Sequence, residues 1–322
     1  MNVLVVHAHP EPRSFSSALA RTAVETLSAA GHAVTLSDLY ANGFNPVSGR
    51  HNFRTVHNPD YYKQQQEEMH ASEHGGFAPD LESEIEKLEQ ADLLIFSFPL
   101  WWFGIPATLK GWVDRAFPMG RVYGGGRFYE NGLGAARNAR ALILMTTGGG
   151  PAAFSGRGVN PSLGSILSPI QHGVFWFNGF RPLDPFVVWS PARLTNEGRG
   201  HYLTQLRLRL ASVLDEATIQ LPPLADFPQF GPDRKKRFIA VITSTAEVQS
   251  KGPLDLASTR GGLELLVRSG FILEHAFTTP DVCPWRGFLT VRAESRDEVK
   301  AVLSSLLPLS ELEIHEIGFG LH

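Results

Sequence analysis

The chain of 322 residues has the length of two domains, and its 43% apolar and 19% charged residues fit a globular protein with a full core. A formal net charge of −3 leaves no basic footprint, which argues against general nucleic-acid binding. One cysteine, Cys283, excludes an internal disulfide framework and a cysteine-rich metal site, so no metal is expected.

The opening run "NVLVVH" has the length of a strand rather than of a signal peptide. No later segment reaches the roughly 18 apolar residues of a spanning helix. The expectation is a cytoplasmic protein without membrane insertion.

In chain order, Asn2 to His7 reads as a buried strand of a parallel sheet, followed by a helix from Phe15 to Ala30 that Gly31 ends. "AVTLSDLY" is a second strand, and Ala41 to Pro79 reads as a long irregular stretch. "DLESEIEKLEQA" is helical, "DLLIFSFP" a third strand, and "ATLKGWVDRAF" a helix after Pro106. "RALILMTTGGG" is the fourth strand with a glycine-rich exit, Pro185 to Trp189 a fifth, and "NEGRGHYLTQLRLRLASVLDEATI" a closing helix. Strands alternating with helices predict a doubly wound α/β domain over residues 1–220.

A proline-rich, then charged stretch places a linker near Pro228. Over 229–322 the pattern restarts: strand "RFIAVITST", helix Leu256 to Ser269, strands "FILEHAFTT" and "RGFLTVRAES", helix "RDEVKAVLSSL" and strand "LEIHEIGFG". This βαββαβ order predicts a smaller α+β ferredoxin-like domain.

Ligands of open α/β sheets sit beyond the carboxyl ends of the strands, so the segments after strands one, three and four should converge. In the first, His9, Arg13, Ser14 and Ser16 lie at the mouth of a helix, whose free amides favour an anion such as phosphate. Singly, Ser14 reads as a helix cap and Arg13 as a surface residue; as a cluster they read as a phosphate site. In "PLWWFG", both tryptophans could be core, but three adjacent side chains cannot all face inward from a strand end. At least one is therefore open to the strand end, where a flat cofactor such as an isoalloxazine ring could lie. In "TTGGG", Thr146 and Thr147 offer hydroxyls, and Gly148 to Gly150 either let a backbone approach a ligand or form a flexible turn. Neither GxGxxG after the first strand nor GxxxxGK[ST] occurs, which counts against a Rossmann dinucleotide site and a P-loop.

The motifs "SDLYANGFNPV", "ADLLIFSFPLWWFGIPATLKGWVDRAF", "TTGG" and "SPIQHGVFWFNGF" resemble the NAD(P)H:quinone oxidoreductases of the DT-diaphorase type over residues 1 to about 215. The resemblance implies a flavodoxin-like FAD enzyme. It implies that FAD is held by His9, Phe15, Ser16, Pro99, Leu100, Trp101, Trp102, Phe103, Thr146, Thr147, Gly148 and Gly149, with Phe154 beside them. It also implies a homodimer whose two sites are completed at the subunit interface, with Tyr123, Phe128 and Phe177 lining the substrate cleft. The implied activity is ping-pong: NAD(P)H delivers hydride to the flavin and leaves, and a quinone then takes two electrons in the same slot.

The sequence departs from the family where the best-known member carries a tyrosine and a histidine after the glycine turn. Phe154 and Asn160 stand there, so Asn160 can donate a hydrogen bond but cannot trade a proton. Arg157 is the candidate for neutralising charge, or else a solvated loop arginine. Gly125 replaces a cleft tyrosine. FMN in place of FAD, azo or nitro reduction, and a flavin-binding redox-sensing regulatory subunit are the alternatives. The C-terminal part resembles dimeric ferredoxin-like domains of the YciI and muconolactone-isomerase type. Its expected role is association or covering of the cleft; His275, Asp281 and Cys283 near the end of a strand suggest chemistry there, but His275 reads rather as a strand residue and Cys283 as a partly buried loop thiol.

Overall fold

In a computed structural model of the chain, residues 1–227, 236–244, 263–269, 271–277, 286–306 and 310–317 are described. The chain divides into two compact units, Met1–Leu221 and Pro222–His322. The first is built from β1 (Asn2–His7), α1 (Phe15–Ala29), β2 (Ala33–Asp38), α2 (Gln64–His74), α3 (Pro79–Gln90), β3 (Leu93–Pro99) and α4 (Ala107–Ala116), then β4 (Arg140–Thr147), α5 (Leu163–Ile170), β5 (Arg181–Pro182), β6 (Phe186–Trp189) and α6 (Asn196–Ala211).

All strands of this unit run parallel in the order β2-β1-β3-β4-β5, with β6 also paired to β4. This is the flavodoxin-like 2-1-3-4-5 order. The apolar runs of β1, β3 and β4 are buried on both faces, and period-two alternation deals their side chains to two cores. Leu4, Val6, Leu94, Phe96, Phe98, Ala141, Ile143 and Met145 pack with Leu81 and Ile85 of α3, Leu109 and Trp112 of α4, and Ile166 and Ile170 of α5. Val3, Val5, Leu93, Ile95, Leu142 and Leu144 pack with Leu19, Ala23 and Leu27 of α1 and Leu206 and Leu210 of α6.

Two expectations need correction, and one stretch holds elements that were not expected. The stretch from Ala41 to Pro79 is not irregular throughout, because it holds a 3-10 turn at Arg50–Asn52 and the helix α2. This helix has no apolar stripe; it is held by Glu67, which accepts from the amides of His57 (2.7 Å) and Asn58 (3.1 Å), and is ended by Gly75 at φ +61°. The closing helix stops at Ala211, short of the expected Ile219. Arg140 of β4 captures the carbonyls of Val213 and Glu216 at 2.8 Å each, and Arg209 pairs with Glu216, so the chain turns off instead of continuing helical. The expected strand from Pro185 to Trp189 is present as β6; the two-residue β5 before it, and α5 with the π-turn Gln171–Phe175, occupy a stretch to which the sequence assigned no element.

The second unit comprises β7 (Lys236–Ser244), α7 (263–268), β8 (Ile272–Phe277), β9 (Arg286–Ala293), α8 (Arg296–Leu306) and β10 (Ser310–Ile317). Its sheet is antiparallel in the order β10-β7-β9-β8, the ferredoxin-like arrangement. Phe238, Ala240, Ile242, Leu289, Val291 and Ile314 turn inward onto Val299 and Leu303 of α8. Residues 256–262 of the expected helix, Asp281, Cys283 and Pro228 lie outside the described residues, as does the side chain of His275.

Candidate functional site

Strand register places the three expected loops at one end of the sheet. His7 pairs with Ser97, Pro99 with Thr146, and Thr147 with Trp189. Hydrogen bonds tie the exits together: Ala8 N–H donates to Ser97 O at 3.0 Å and Leu100 N–H to Thr146 O at 2.8 Å. The hydroxyls of Ser16 and Thr146 meet at 2.8 Å, joining the mouth of α1 to the end of β4. Beneath them the buried His7 ring bridges Ser97 and Ser17, and burial holds it below the ordinary histidine value.

The mouth of α1 is organised for an anion. Ser14 is the N-cap and accepts from Ser17 N–H, and no acidic residue occupies the first turn. Among the described residues the N–H groups of Phe15 and Ser16 have no protein acceptor, as expected for first-turn donors. His9 Nδ1 accepts from Glu11 N–H at 3.0 Å, which leaves the proton of the neutral ring on Nε2. Burial lowers the pKa of His9 against the raising effect of Glu11, favouring that neutral form. Arg13 is a surface residue, with its side chain 91% exposed and paired to Glu11. Phe15 packs, half-buried, against the α1 and α6 side of the sheet.

The turn after β3 is the most unusual backbone of the unit. Trp101 and Gly104 exchange both backbone hydrogen bonds, at 3.1 and 3.0 Å. The two central residues, Trp102 and Phe103, are held at φ +50° and +59°. Such turns normally take Asn-Gly, and bulky residues at positive φ are outliers. Trp102 is 97% exposed, Phe103 49% and Trp101 40%. Trp101 leans on His9 (ring centroids 5.8 Å) and Phe103 on Phe154 (6.4 Å), which in turn packs on Trp189 (5.7 Å). Strain of this kind persists only where the surrounding structure over-determines it, here through the paired backbone bonds of Trp101 and Gly104.

The glycine turn closes the third side. Gly148 is exposed, Gly149 half-buried, and a side chain on Gly149 would stand 2.8 Å from the Phe154 ring. Ser190, at φ +49°, donates from its N–H to Thr147 O and from its hydroxyl to Gly148 O. Asn160 is half-buried and its N–H returns to Ala153 O at 3.0 Å; Arg157 is exposed within the loop so closed.

Tyr123, Phe128 and Phe177 also come together, but as a second cluster. Phe177 lies 6.1 Å from Tyr123 and 6.4 Å from Phe128, nearly parallel to the latter. Tyr129, at φ +52°, joins them through Phe177 and Trp176, and His172 packs on Trp176. Tyr129, Trp176 and His172 were not singled out from sequence, although "RFY" and "QHGVFWF" carry the aromatic density that marks them.

A 2-1-3-4-5 parallel sheet with an anion-ready helix mouth and open aromatic faces at its switch point defines a flavodoxin-like ligand-binding protein. Residues 1–210 match the family model described as Flavodoxin-like fold, and the chain belongs to that family. It is 38% identical over 218 residues to the ribosyldihydronicotinamide dehydrogenase [quinone] of Pongo abelii, covering 67% of this chain and 94% of that one. It is 37% identical over 225 residues to NAD(P)H dehydrogenase [quinone] 1 of Rattus norvegicus, covering 70% and 81%. A solved structure from Klebsiella pneumoniae, described as a quinone reductase, superposes with a TM-score of 0.68 at 33% identity, covering 72% of this chain and 92% of that one. No described helix is long and apolar enough to cross a membrane.

Proposed function

We propose that the N-terminal unit is an FAD-dependent NAD(P)H:quinone oxidoreductase. Per turnover, one dihydronicotinamide and one proton convert a quinone to its hydroquinone by two-electron transfer. The observation that carries this reading is the strained Trp102–Phe103 turn, open to solvent beside the unpaired amides of α1. The quinone reductases among the relatives support the substrate class.

The residues present fit a flavin. Phe15 and Ser16 N–H at the helix mouth suit its phosphates. Trp101, Trp102 and Phe103 give aromatic faces, and the N–H groups of Trp102 and Phe103, which have no acceptor among the described residues, give donors for a polar ring edge. Gly148 leaves room for close approach, since a side chain there would meet nothing within 4 Å. When bound, the flavin supplies a two-electron relay between nicotinamide and quinone.

The chain's own residues position and screen. Neutral His9 offers an Nε2–H donor without placing a second positive charge at the phosphate mouth. Phe154, braced by Trp189 and Gly149, walls the turn against water. Asn160 supplies a hydrogen-bond donor, and Arg157 a positive charge where electron density builds during transfer. Tyr123, Phe128 and Phe177 wall the acceptor slot in a homodimer whose two sites are completed at the interface. A cytoplasmic setting suits a chain with a single cysteine.

The test is anaerobic. NADH or NADPH added to the flavin-loaded protein should bleach the flavin absorbance, and a simple quinone should restore it. Failure to bleach would remove the quinone-reductase reading.

A further inference from the structure

The loop that joins α4 to Tyr129 carries Tyr123 and Phe128, and it lies directly on α2. Glu68 Oε2 accepts from Met119 N–H at 2.8 Å, and the Ser72 hydroxyl sits 3.0 Å from Met119 O. Gln65 Nε2 donates to Tyr123 OH at 3.1 Å. Gly120, at φ +93°, presses so close that a side chain there would stand 2.7 Å from the Ser72 hydroxyl. Within the loop, Gly120 N–H donates to Tyr123 O at 2.8 Å, and Arg127 donates to Gly120 O. The three following glycines, Gly124, Gly125 and Gly126, all have positive φ, which glycine adopts without steric cost.

Between loop and helix is a cavity of about 340 Å³, lined by Ser48, Gln64, Glu68, Asp114, Phe117 and Tyr123, among others. Glu68 is 3% exposed there, with Gln64 Nε2 donating to its second oxygen at 2.8 Å. Within the cavity lining, the Ser48 hydroxyl has no partner.

We propose that Glu68 is a positioning residue whose neutral form, buried beneath the Met119 amide it accepts from, holds the Tyr123 loop against α2, and whose ionisation favours the open loop. That the loop bounds an acceptor slot rests on the proposed function; the latch itself does not.

The direction follows from linkage. Burial, opposed by the Met119 and Gln64 hydrogen bonds, pushes the Glu68 carboxyl up to about 7. A carboxyl that binds its proton more tightly when closed than when solvated must favour opening once ionised. The other titratable groups facing it do not reverse this. Tyr62 and Tyr123 have raised values and remain neutral, Asp114 of α4 is paired with Lys110 at 2.6 Å, and Glu67 is paired with Arg50 at 3.4 Å.

The test is amide hydrogen exchange of the full chain at pH 6 and pH 8, corrected for chemical exchange and read in peptides spanning residues 117–128. With closed and solvated values of about 7 and about 4.5, the open fraction should rise about tenfold between these pH values. Glu68→Gln should abolish that rise. Gln65→Leu, which leaves the carboxyl in place, should open the loop at both pH values and keep the ratio. A wild-type loop indifferent to pH, a tenfold rise retained in Glu68→Gln, or a ratio lost in Gln65→Leu would overturn the proposal. With a quinone acceptor, wild type should show a KM that changes with pH more than kcat does, and Glu68→Gln should flatten it. If no quinone is turned over, the proposed function fails while the exchange experiment still decides the latch.

Discussion

Replacing Trp102 by asparagine separates the backbone strain of its turn from the flavin contact proposed for its ring. At φ +50° a tryptophan costs roughly 1–2 kcal/mol, whereas asparagine enters this region readily. The side chain is 97% exposed, so almost no buried area is lost with it. The net expectation is a gain of about 1 kcal/mol for the flavin-free protein, or about 2–4 °C for a unit of this size. Phe103→Gly makes the contrast. It relieves similar strain, but Phe103, 49% exposed, packs on Phe154, and glycine adds about 0.5–1 kcal/mol of chain entropy, so its effect should be close to zero. Thermal unfolding of the stripped proteins measures the gain. Quenching of flavin fluorescence on titration measures the loss, which for one aromatic face should be about tenfold in affinity. A stripped Trp102→Asn protein that melts below wild type would show that the turn is held for stability. One that melts higher and binds flavin equally well would show that its strain has nothing to do with the ligand.

Three further outcomes follow from the same geometry. Gly149→Ala drives a methyl to within 2.8 Å of the Phe154 ring, so it should destabilise by about 1–3 kcal/mol and weaken flavin retention, as read by melting and titration together. Ser16→Ala removes the buried bond to Thr146 and should cost about 1–2 kcal/mol in urea unfolding; an unchanged midpoint would show that the two hydroxyls do not hold α1 to β4. Glu68 has a folded-state value above its unfolded 4.5, so its contribution to stability is fully present below about pH 4.5 and is lost as pH rises through about 7. Glu68→Gln should therefore match wild type at pH 4.5 and exceed it at pH 8 by at most about 3 kcal/mol, and a variant less stable at pH 8 would contradict the burial argument.

What could be read from the sequence is what repeats locally. β1, β3 and β4 announce themselves because apolar runs buried on both faces look the same from either core, and their exits meet because chain order puts them at one end of a parallel sheet. The pairings inside the site are not local. Trp101 rests on a histidine ninety-two residues earlier, and Phe103 on a ring fifty-one residues later. Pro169 inside α5 masks that helix, and the end of α6 is set by an arginine on β4.

The segment with the weakest pattern matters most for this reason. α2 is mostly glutamine, glutamate and histidine, with Ala71 alone packed in the core, and it is held largely by carboxylates that accept amides from elsewhere in the chain. A helix held by polar bonds rather than by apolar packing responds to protonation, because an ionised carboxylate accepts those bonds strongly yet is poorly solvated in the cavity it occupies. In this unit the rigid, legible elements set the position of the loops after β1, β3 and β4. The loop of Tyr123 is attached instead to α2 through Glu68 and Gln65, so under the proposed role of Glu68 its geometry should follow pH while that of the other loops does not.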